Sequence, residues 1–406
     1  MNLKKRGIIF LWISLFIIFT SLVFLVIGCN SNYLISDINK RISLGIMILG
    51  IILLGYSIFL IIRYKYRSSF KKVKMIIASS LIGLYALGCS TFLFILYGPY
   101  DNFRTWLITT AMATMNHQYY CKWFYSDEII NDVLNSNYVK EGDESSNPNL
   151  ITFDKNGNYK NEYEKEILEH DKDDIYKIIR FEVNGCDAYL AAIYDPSKIS
   201  VGISKWLGRS GQYIYDMAKE QDAVLAINGG GFFDPNYNSN GANPLGITIS
   251  NGKIISDAAY NSNSGGVIGF DENNKLLLLR NINANEALNM GIRDAVTMGP
   301  FLIVNGKTAD IKGNGGWGYA ARTAIGQRSD GIVLFLVVDS NEFRTKGASM
   351  KDLAEIMENY GAINAANLDG GTSSAIVENG ELLNDPIDSA LRHKTRGIPT
   401  IFKVVK

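Results

Sequence analysis

Three long apolar runs dominate the first hundred residues of this 406-residue chain, at 7–28, 42–62 and 75–97. Each has the roughly 20 residues that a helix needs to cross the hydrocarbon core of a bilayer. The loop between the second and third runs holds a cluster of lysines and arginines between Arg63 and Lys74, and such loops stay on the cytoplasmic side. The pattern predicts a transmembrane region over residues 1–99 with three crossings, a cytoplasmic N-terminus and an extracellular remainder.

The first run also leads into a glycine followed by Cys29. A charged start, an apolar core and a small residue before cysteine are typical of a bacterial lipoprotein signal. Cleavage and lipidation at Cys29 are therefore an alternative to a first transmembrane helix. In both cases the rest of the chain is expected outside the cell.

The apolar pattern changes after residue 99. Residues 100–140 mix threonines with aromatic side chains such as Trp106 and Trp123, which suits an amphipathic helix at the membrane surface or a helix packed against the next domain. Residues 141–174 are rich in charged and small polar residues and poor in apolar ones. Because such a segment cannot bury a core, we predict a polar linker there.

From residue 175 to 406, apolar residues occur mostly in short runs separated by Gly, Asn and Asp. Residues 246–255 alternate around an Asn-Gly pair, which is a strong hairpin signal. Residues 331–339 are almost continuously apolar, as expected of a strand buried on both faces. Residues 349–360 suit a helix with Ser349 as its N-cap. Many strands with few helices predict an α+β domain around a large mixed or antiparallel sheet.

Two glycine turns of similar construction carry the strongest chemical signal. In the first, an apolar strand leads into Asn-Gly-Gly-Gly and then to Asp234; in the second, Asn-Leu-Asp-Gly-Gly places Asp369 before two glycines and three hydroxyl side chains. Paired glycines let backbone N–H groups approach a ligand without a Cβ in the way. A carboxylate beside such donors suits a polar, anionic substrate.

Charge and motifs exclude several other classes of protein. The formal net charge is zero, so no global basic field favours nucleic acid as a partner. The chain has no nucleophile elbow with a histidine nearby, no phosphate-binding Walker loop and no dinucleotide-binding fingerprint. The groups left for chemistry are carboxylates and arginines, and Arg322 and Arg396 each precede an apolar strand.

No cofactor or metal is expected, because the histidines and cysteines share no metal-type spacing. One alternative concerns calcium. Asp234, Asn236, Asn238 and Asn240 alternate in a way that would present oxygens to such an ion. They lack the glutamate that ends an EF-hand loop, so a polar surface loop is the preferred interpretation.

Together these motifs resemble the phosphodiester glycosidases, the uncovering-enzyme-like family. The resemblance covers residues 175–406, and Thr372 departs from it where many relatives have glycine or serine. Residues 109–118 also look like a bacterial membrane-anchored branch labelled as exopolysaccharide biosynthesis proteins. The motifs, in the order found in the family, are residues 228–233, Gly246 with its hairpin, Gly299-Pro300, residues 322–326 and residues 367–371.

The resemblance implies a hydrolase that breaks the bond between a sugar C1 and a phosphate oxygen. In this hypothesis Asp369 is the nucleophile or activates water, with Asp234 as the second candidate. Arg322 binds the phosphate through two parallel hydrogen bonds. The other expected substrate-binding residues are Asn228, Gly229, Gly230, Gly370, Gly371, Thr372, Ser373 and Arg396.

The expected protein is thus a multi-pass membrane glycosidase that acts on a carbohydrate phosphodiester outside the cell, with the bilayer and polysaccharide-assembly proteins as partners. A non-catalytic carbohydrate-binding or assembly protein that uses the same cleft is the alternative. The presence of both Asp369 and Arg322 favours the enzyme. The sugar, the aglycone and the stereochemistry stay open.

Overall fold

The apolar runs of the N-terminal region form helices. The computed structural model describes residues 3–31, 37–63, 72–113, 118–154, 159–233, 240–260, 264–388 and 390–406. The chain divides into two units, residues 1–135 and 136–406. The helices of the first unit are α1 (Leu3–Asn30), α2 (Asp37–Arg63), α3 (Lys72–Tyr97), α4 (Asp101–Ala113), α5 (Gln118–Phe124) and α6 (Asp127–Ser136).

Two helical segments in the described residues, Ile8–Asn30 and Ser80–Tyr97, are long and apolar enough to cross a membrane. The prediction of three such helices is corrected to two on this measure, because the described apolar stretch of α2 covers only Ser43–Phe59. Length and composition are the whole basis of this assignment. A signal sequence near the N-terminus or a buried core helix would meet the same criterion.

The described residues of the segment that follows α3, 101–113 and 118–136, form three short helices, whereas the sequence suggested an amphipathic helix. Within this unit, α4 to α6 pack on the end of α3 around a small cluster that includes Ile108, Cys121 and Tyr125. The Tyr125 hydroxyl donates to the carbonyl oxygen of Leu96 at 3.0 Å. These contacts account for part of the aromatic content of the segment by packing within the unit.

The second unit is built mainly of antiparallel sheet, and every strand pairing in the described part of the chain is antiparallel. This confirms the α+β prediction in its antiparallel form. Its helices are α7 (Glu162–Leu168), α8 (Ile214–Glu220), α9 (Ala284–Asn289) and α10 (Met350–Asn359). Its strands are β1 (Tyr138–Lys140), β2 (Tyr176–Val183), β3 (Cys186–Ile193), β4 (Ile199–Ile203), β5 (Ala223–Asn228), β6 (Ile247–Ser250), β7 (Lys253–Asp257), β8 (Gly266–Asp271), β9 (Leu276–Leu279), β10 (Ile292–Met298), β11 (Phe301–Val304), β12 (Lys307–Thr308), β13 (Asp310–Lys312), β14 (Arg322–Arg328), β15 (Val333–Val338), β16 (Ala362–Asn367), β17 (Ile376–Glu378), β18 (Glu381–Leu382) and β19 (Thr400–Val405).

Three sheets enclose one shared core. Their strand orders are β12-β11-β16-β14-β15-β3-β2, β18-β17-β5-β19-β4 and β7-β6-β10-β8-β9. Buried side chains from all three sheets, among them Phe335, Phe402 and Phe270, meet in the largest cluster. Helices α10, α8 and α9 each cover the outer face of one sheet. Strand β15 is therefore buried on both faces, which confirms the prediction made for residues 331–339.

The described residues of the predicted linker, 141–154 and 159–174, belong to the second unit and pack within it. Ile151 and Ile167 are fully buried. The Glu141 carboxylate accepts hydrogen bonds from the amides of Gly265 and Phe301 and pairs with Arg280. The polar composition suggested exposure, but these carboxylates and amides have partners more than a hundred residues further along the chain.

Candidate functional site

The two glycine turns meet at the ends of strands from two different sheets. Strand β5 ends at Asn228 and β16 ends at Asn367. The Asn228 side chain is fully buried and its Nδ2 donates to the carbonyl oxygen of Asp369 at 2.7 Å. Its Oδ1 accepts from the Thr323 hydroxyl at 2.7 Å and from the Ala375 amide at 3.1 Å. Asn228 thus joins the strand ends and holds the Asp369 backbone, and none of its surface is open to a substrate.

Gly229 and Gly230 are needed for close packing. A Cβ at Gly229 would lie 2.5 Å from Thr400 Oγ1, and one at Gly230 would lie 2.7 Å from the Thr297 carbonyl oxygen. Their amides donate to the carbonyl oxygen and the Oγ1 of Thr400. These two N–H groups are therefore engaged inside the protein and are not offered to a ligand.

Asp369 begins the turn between β16 and β17. Its Oδ1 accepts the amide of Gly370 at 3.0 Å, and Asp369 and both following glycines are half-buried. The Gly371 amide donates to the Ala321 carbonyl oxygen at 2.8 Å, and Gly371 has φ +63°, which a glycine adopts without strain. The turn thus fixes the carboxylate, whose Oδ2 is buried, on a backbone held at both ends.

The hydroxyl residues after the glycines have different environments. Thr372 is half-buried, and its hydroxyl donates to the Ile387 carbonyl oxygen at 3.3 Å. Ser373 and Ser374 are fully buried. Of the three, only Thr372 lies where a ligand at the turn could reach it without a movement of the protein.

Arg322 starts β14 and lies against the turn from the Gly370 side. Its Nη1 is 3.5 Å from the position of a Cβ on Gly370. Its Nη2 donates to the carbonyl oxygens of Trp317 and Gly318, and its Nε donates to that of Ala348. Burial lowers the pKa of Arg322 to about 10, while the negative charge of Asp369 acts to raise it. The side chain is charged at neutral pH and close enough to Asp369 to stabilise its carboxylate.

Arg344 lies against the same turn from the Gly371 side, and the sequence reasoning missed it. Its Nη2 is 3.6 Å from the position of a Cβ on Gly371. Burial lowers the pKa of Arg344; Asp388 opposes this shift and Arg396 adds to it. Its loop carries no apolar period or motif, so only its proximity in the fold identifies it.

Arg396 and Phe232 form a stacked pair near Arg344. The Arg396 guanidinium lies 4.3 Å from the centre of the Phe232 ring, and Phe232 is buried. Its neighbour Phe233 is 57% exposed and lines a cavity of about 430 Å³ with Leu207 and Leu245. Of these two phenylalanines only Phe233 has an exposed ring, and the cavity that it lines does not include Asp369.

A buried network supports the turn from behind. Asp339 follows β15, and its carboxylate accepts from Asn384 Nδ2 at 2.7 Å and from the Asp385 amide at 2.9 Å. Asn384 also donates to the Ser374 carbonyl oxygen at 3.1 Å. Burial raises the pKa of Asp339 to about 6, against the effect of these hydrogen bonds. Asp339 is thus a buried partner of Asn384 and Asp385, and through Asn384 it supports the backbone of the turn at Ser374.

The second acid of the hypothesis lies outside the described residues. Asp234, and the calcium alternative at Asn236 and Asn238, fall in residues 234–239. Asn240 is described, and its Nδ2 donates to the Arg209 carbonyl oxygen at 2.7 Å. Within the described ranges, no group of three or more His, Cys, Asp or Glu side chains could hold a metal ion. The roles of Asp234 and of calcium stay predictions.

The site is an acid on a glycine turn with one arginine against each of the two glycines, and the sequence around it has known relatives. Residues 221–405 match the phosphodiester glycosidase family. This confirms the resemblance for that region of the chain. The first relative is the SPbeta prophage-derived uncharacterized protein YomE of Bacillus subtilis strain 168, 30% identical over 209 residues, which are 49% of this chain and 31% of YomE.

A second relative has a named activity. The bovine N-acetylglucosamine-1-phosphodiester alpha-N-acetylglucosaminidase is 38% identical over 69 residues, which are 17% of this chain and 13% of that enzyme. The chain therefore spans less than a third of the length of these curated relatives.

Solved structures resemble the phosphodiester glycosidase region more distantly. The catalytic domain of the zebrafish N-acetylglucosamine-1-phosphodiester alpha-N-acetylglucosaminidase is 19% identical with a TM-score of 0.48, over 59% of this chain and 86% of that chain. An exported protein of Burkholderia pseudomallei K96243 is 17% identical with a TM-score of 0.43, over 54% of this chain and 74% of that chain.

Proposed function

We propose that the protein is a membrane-anchored glycosidase that hydrolyses sugar-1-phosphodiester bonds of surface polysaccharide or its precursors outside the cell. The observation that carries the proposal is the Asp369 carboxylate on a fixed glycine turn, with the guanidinium groups of Arg322 and Arg344 against the two glycines that follow it. The match of residues 221–405 to the family supports the reaction class. The names of the mammalian relatives support a sugar-1-phosphodiester as substrate.

The chemistry needs one carboxylate and a cationic pocket. Phosphate leaves as a stable anion, so the leaving group needs less protonation than an ordinary alcohol does. Asp369 attacks the sugar C1 or removes a proton from the attacking water while the C1–oxygen bond breaks. Arginine groups stabilise the charge that develops on the departing phosphate. Asn228 keeps the Asp369 backbone in place during this step.

The location outside the cell depends on the number of crossings. An odd number places the second unit opposite the N-terminus, and an even number places both on one side. The location outside the cell therefore requires that α2 also crosses the membrane, although its described apolar stretch, Ser43–Phe59, is shorter than the two segments that are long enough to cross. Protease digestion of the second unit in intact cells would support this, and protection there would contradict it.

Sugar release by the full chain in detergent tests the activity. The substrates are methyl or 4-nitrophenyl phosphodiesters of α-linked N-acetylglucosamine and related sugars. Asp369→Asn keeps an oxygen for the Gly370 amide and should lower kcat by at least about 100-fold, since it removes the nucleophile or base. Asp310→Asn, at a carboxylate whose side chain is 51% exposed, is the matched control and should keep full activity. Turnover by Asp369→Asn within a few-fold of wild type would contradict the assignment. Glycan binding without release by the wild type would instead favour a carbohydrate-binding protein.

A further inference from the structure

The phosphate of such a substrate needs a cationic group with N–H groups that are not already hydrogen-bonded, and most of those of Arg322 are engaged. Its Nη2 already donates to two carbonyl oxygens and its Nε to a third. A two-point arginine–phosphate contact uses N–H groups on two adjacent nitrogens of the guanidinium. Only Nη1 of Arg322 remains, on the side that faces Gly370 and Asp369. Arg322 is therefore suited to stabilise Asp369 and cannot form a two-point hydrogen-bonded contact with a phosphate.

Arg344 is in the opposite situation. Among the residues that the structure describes, none accepts a hydrogen bond from its guanidinium or pairs with it within ion-pair distance. The side chain is nevertheless partly buried, although an unpaired charge loses hydration there. A half-buried guanidinium with all five donors available, 3.6 Å from the Gly371 Cβ position, is a site for an anion.

The backbone of Arg344 has a strained conformation. Arg344 has φ +56°, a conformation that is unfavourable for a residue with a long side chain. The Asn341 side chain fixes it, because Asn341 Oδ1 accepts the amides of Thr345 and Lys346 at 2.7 and 2.9 Å. A loop that holds an arginine in a strained conformation beside a reactive turn is typical of a functional position.

The charged groups around Arg344 do not neutralise its positive charge. The negative charge of Asp388 acts to raise the pKa of Arg344, but the Asp388 carboxylate is already bound to Arg392, at 2.8 Å from Nε and 2.7 Å from Nη2. Although burial acts to raise the pKa of Asp388, hydrogen bonds from Arg392 and Ala390 lower it to about 2. Arg396 adds a second positive charge near Arg344. The local balance is therefore positive on the Gly371 side of the turn.

We propose that Arg344 is the residue that binds the phosphate of the substrate, while Arg322 positions Asp369 from the other side of the turn. This inference rests on the proposed function for the identity of the substrate. The phosphate, with one negative charge in a diester, lies on the Gly371 side, and the sugar C1 lies toward Asp369. Arg396 contributes further positive potential from its place on Phe232.

The test compares Arg344→Gln and Arg344→Lys with wild type in the full chain in detergent. The control is Arg180→Gln, at an exposed arginine that stacks on Tyr189. Two readouts are measured: calorimetric binding of dimethyl phosphate, and kinetics on a sugar-1-phosphodiester beside the uncharged 4-nitrophenyl glycoside of the same sugar. Loss of a charged hydrogen bond should weaken dimethyl phosphate binding and raise KM for the diester at least about tenfold in Arg344→Gln. Arg344→Lys should recover part of the phosphate affinity, because lysine supplies a point charge. Hydrolysis of the uncharged glycoside by both variants should stay within about twofold of wild type.

The outcomes separate this inference from the proposed function. Wild-type affinity and wild-type KM in Arg344→Gln, with active enzyme, would overturn the role of Arg344 and leave the glycosidase in place. If the wild type binds dimethyl phosphate but releases no sugar, and Arg344→Gln loses this binding, the anion site is supported and the activity is refuted. A wild type that neither releases sugar nor binds dimethyl phosphate would refute both.

Discussion

Replacement of Asn228 by alanine tests whether this residue positions Asp369 or binds substrate. The change leaves three groups without their partners: the carbonyl oxygen of Asp369, the Thr323 hydroxyl and the Ala375 amide. Thr323 and Ala375 are fully buried, and each orphaned buried group costs roughly 1–3 kcal/mol. For these two fully buried groups we therefore expect a loss of roughly 2–6 kcal/mol, against a total free energy of unfolding of about 5–15 kcal/mol for typical domains.

Thermal unfolding of the full chain in detergent measures the effect through the circular dichroism of the sheets. A loss of this size should lower Tm by roughly 4–24 °C, at about 2–4 °C per kcal/mol for a domain of this size. Asn289→Ala at an exposed position is the matched control and should change Tm by no more than about 1–2 °C.

Asn228→Asp separates positioning from binding. It keeps an acceptor for Thr323 and Ala375 but places a second oxygen against the carbonyl oxygen of Asp369, which repels it. In variant protein that is still folded, kcat should fall while KM changes little, because the side chain is fully buried. A variant with wild-type Tm, or one in which only KM rises, would refute the positioning role.

Two further variants test other buried carboxylates in the second unit. Asp339→Asn should remove a pH dependence of the free energy of unfolding. The folded pKa of about 6 lies above the roughly 3.9 of an unfolded Asp, so the free energy of unfolding of the wild type falls by up to about 3 kcal/mol as the pH rises from about 4 to 6. Urea unfolding of the variant across this range should show a flatter dependence on pH, whereas parallel curves for variant and wild type would contradict the assignment. Glu141→Gln should lower the free energy of unfolding by about 3 kcal/mol or more, because it leaves the buried charge of Arg280 without its partner carboxylate. The control is Glu162→Gln, at a side chain that is 85% exposed, and it should have almost no effect in the same urea titration.

The local parts of the fold are readable from sequence. The Asn251-Gly252 pair has positive φ at both residues and joins β6 to β7. Helix α10 begins after Ser349 with a reciprocal capping box to Asp352. In these cases the signal lies within a few residues, and the same residues adopt the structure. The Asp369 turn was identified for the same reason, since the acid and its two glycines are adjacent.

The long-range parts are not readable in this way. The Asn228 side chain reaches a carbonyl 141 residues away, and Glu141 reaches an amide 160 residues away. A charge-rich segment has the same composition whether its carboxylates face water or accept buried amides. The linker prediction for residues 141–174 failed for this reason, and the same limit hid the roles of Asn384 and Asp339.

The choice between Arg322 and Arg344 shows where sequence reasoning stops. Both residues are arginines, and only Arg322 stands in a recognisable motif, which made it the expected phosphate ligand. What a guanidinium can bind depends on how many of its five N–H groups are already engaged. That number follows from the positions of Trp317, Gly318 and Ala348 around Arg322, which the motif does not specify. Because the carbonyl oxygens around Arg322 hold it on the Gly370 side of the turn, the proposed function assigns the charge of the substrate to Arg344, which has no such partner among the described residues.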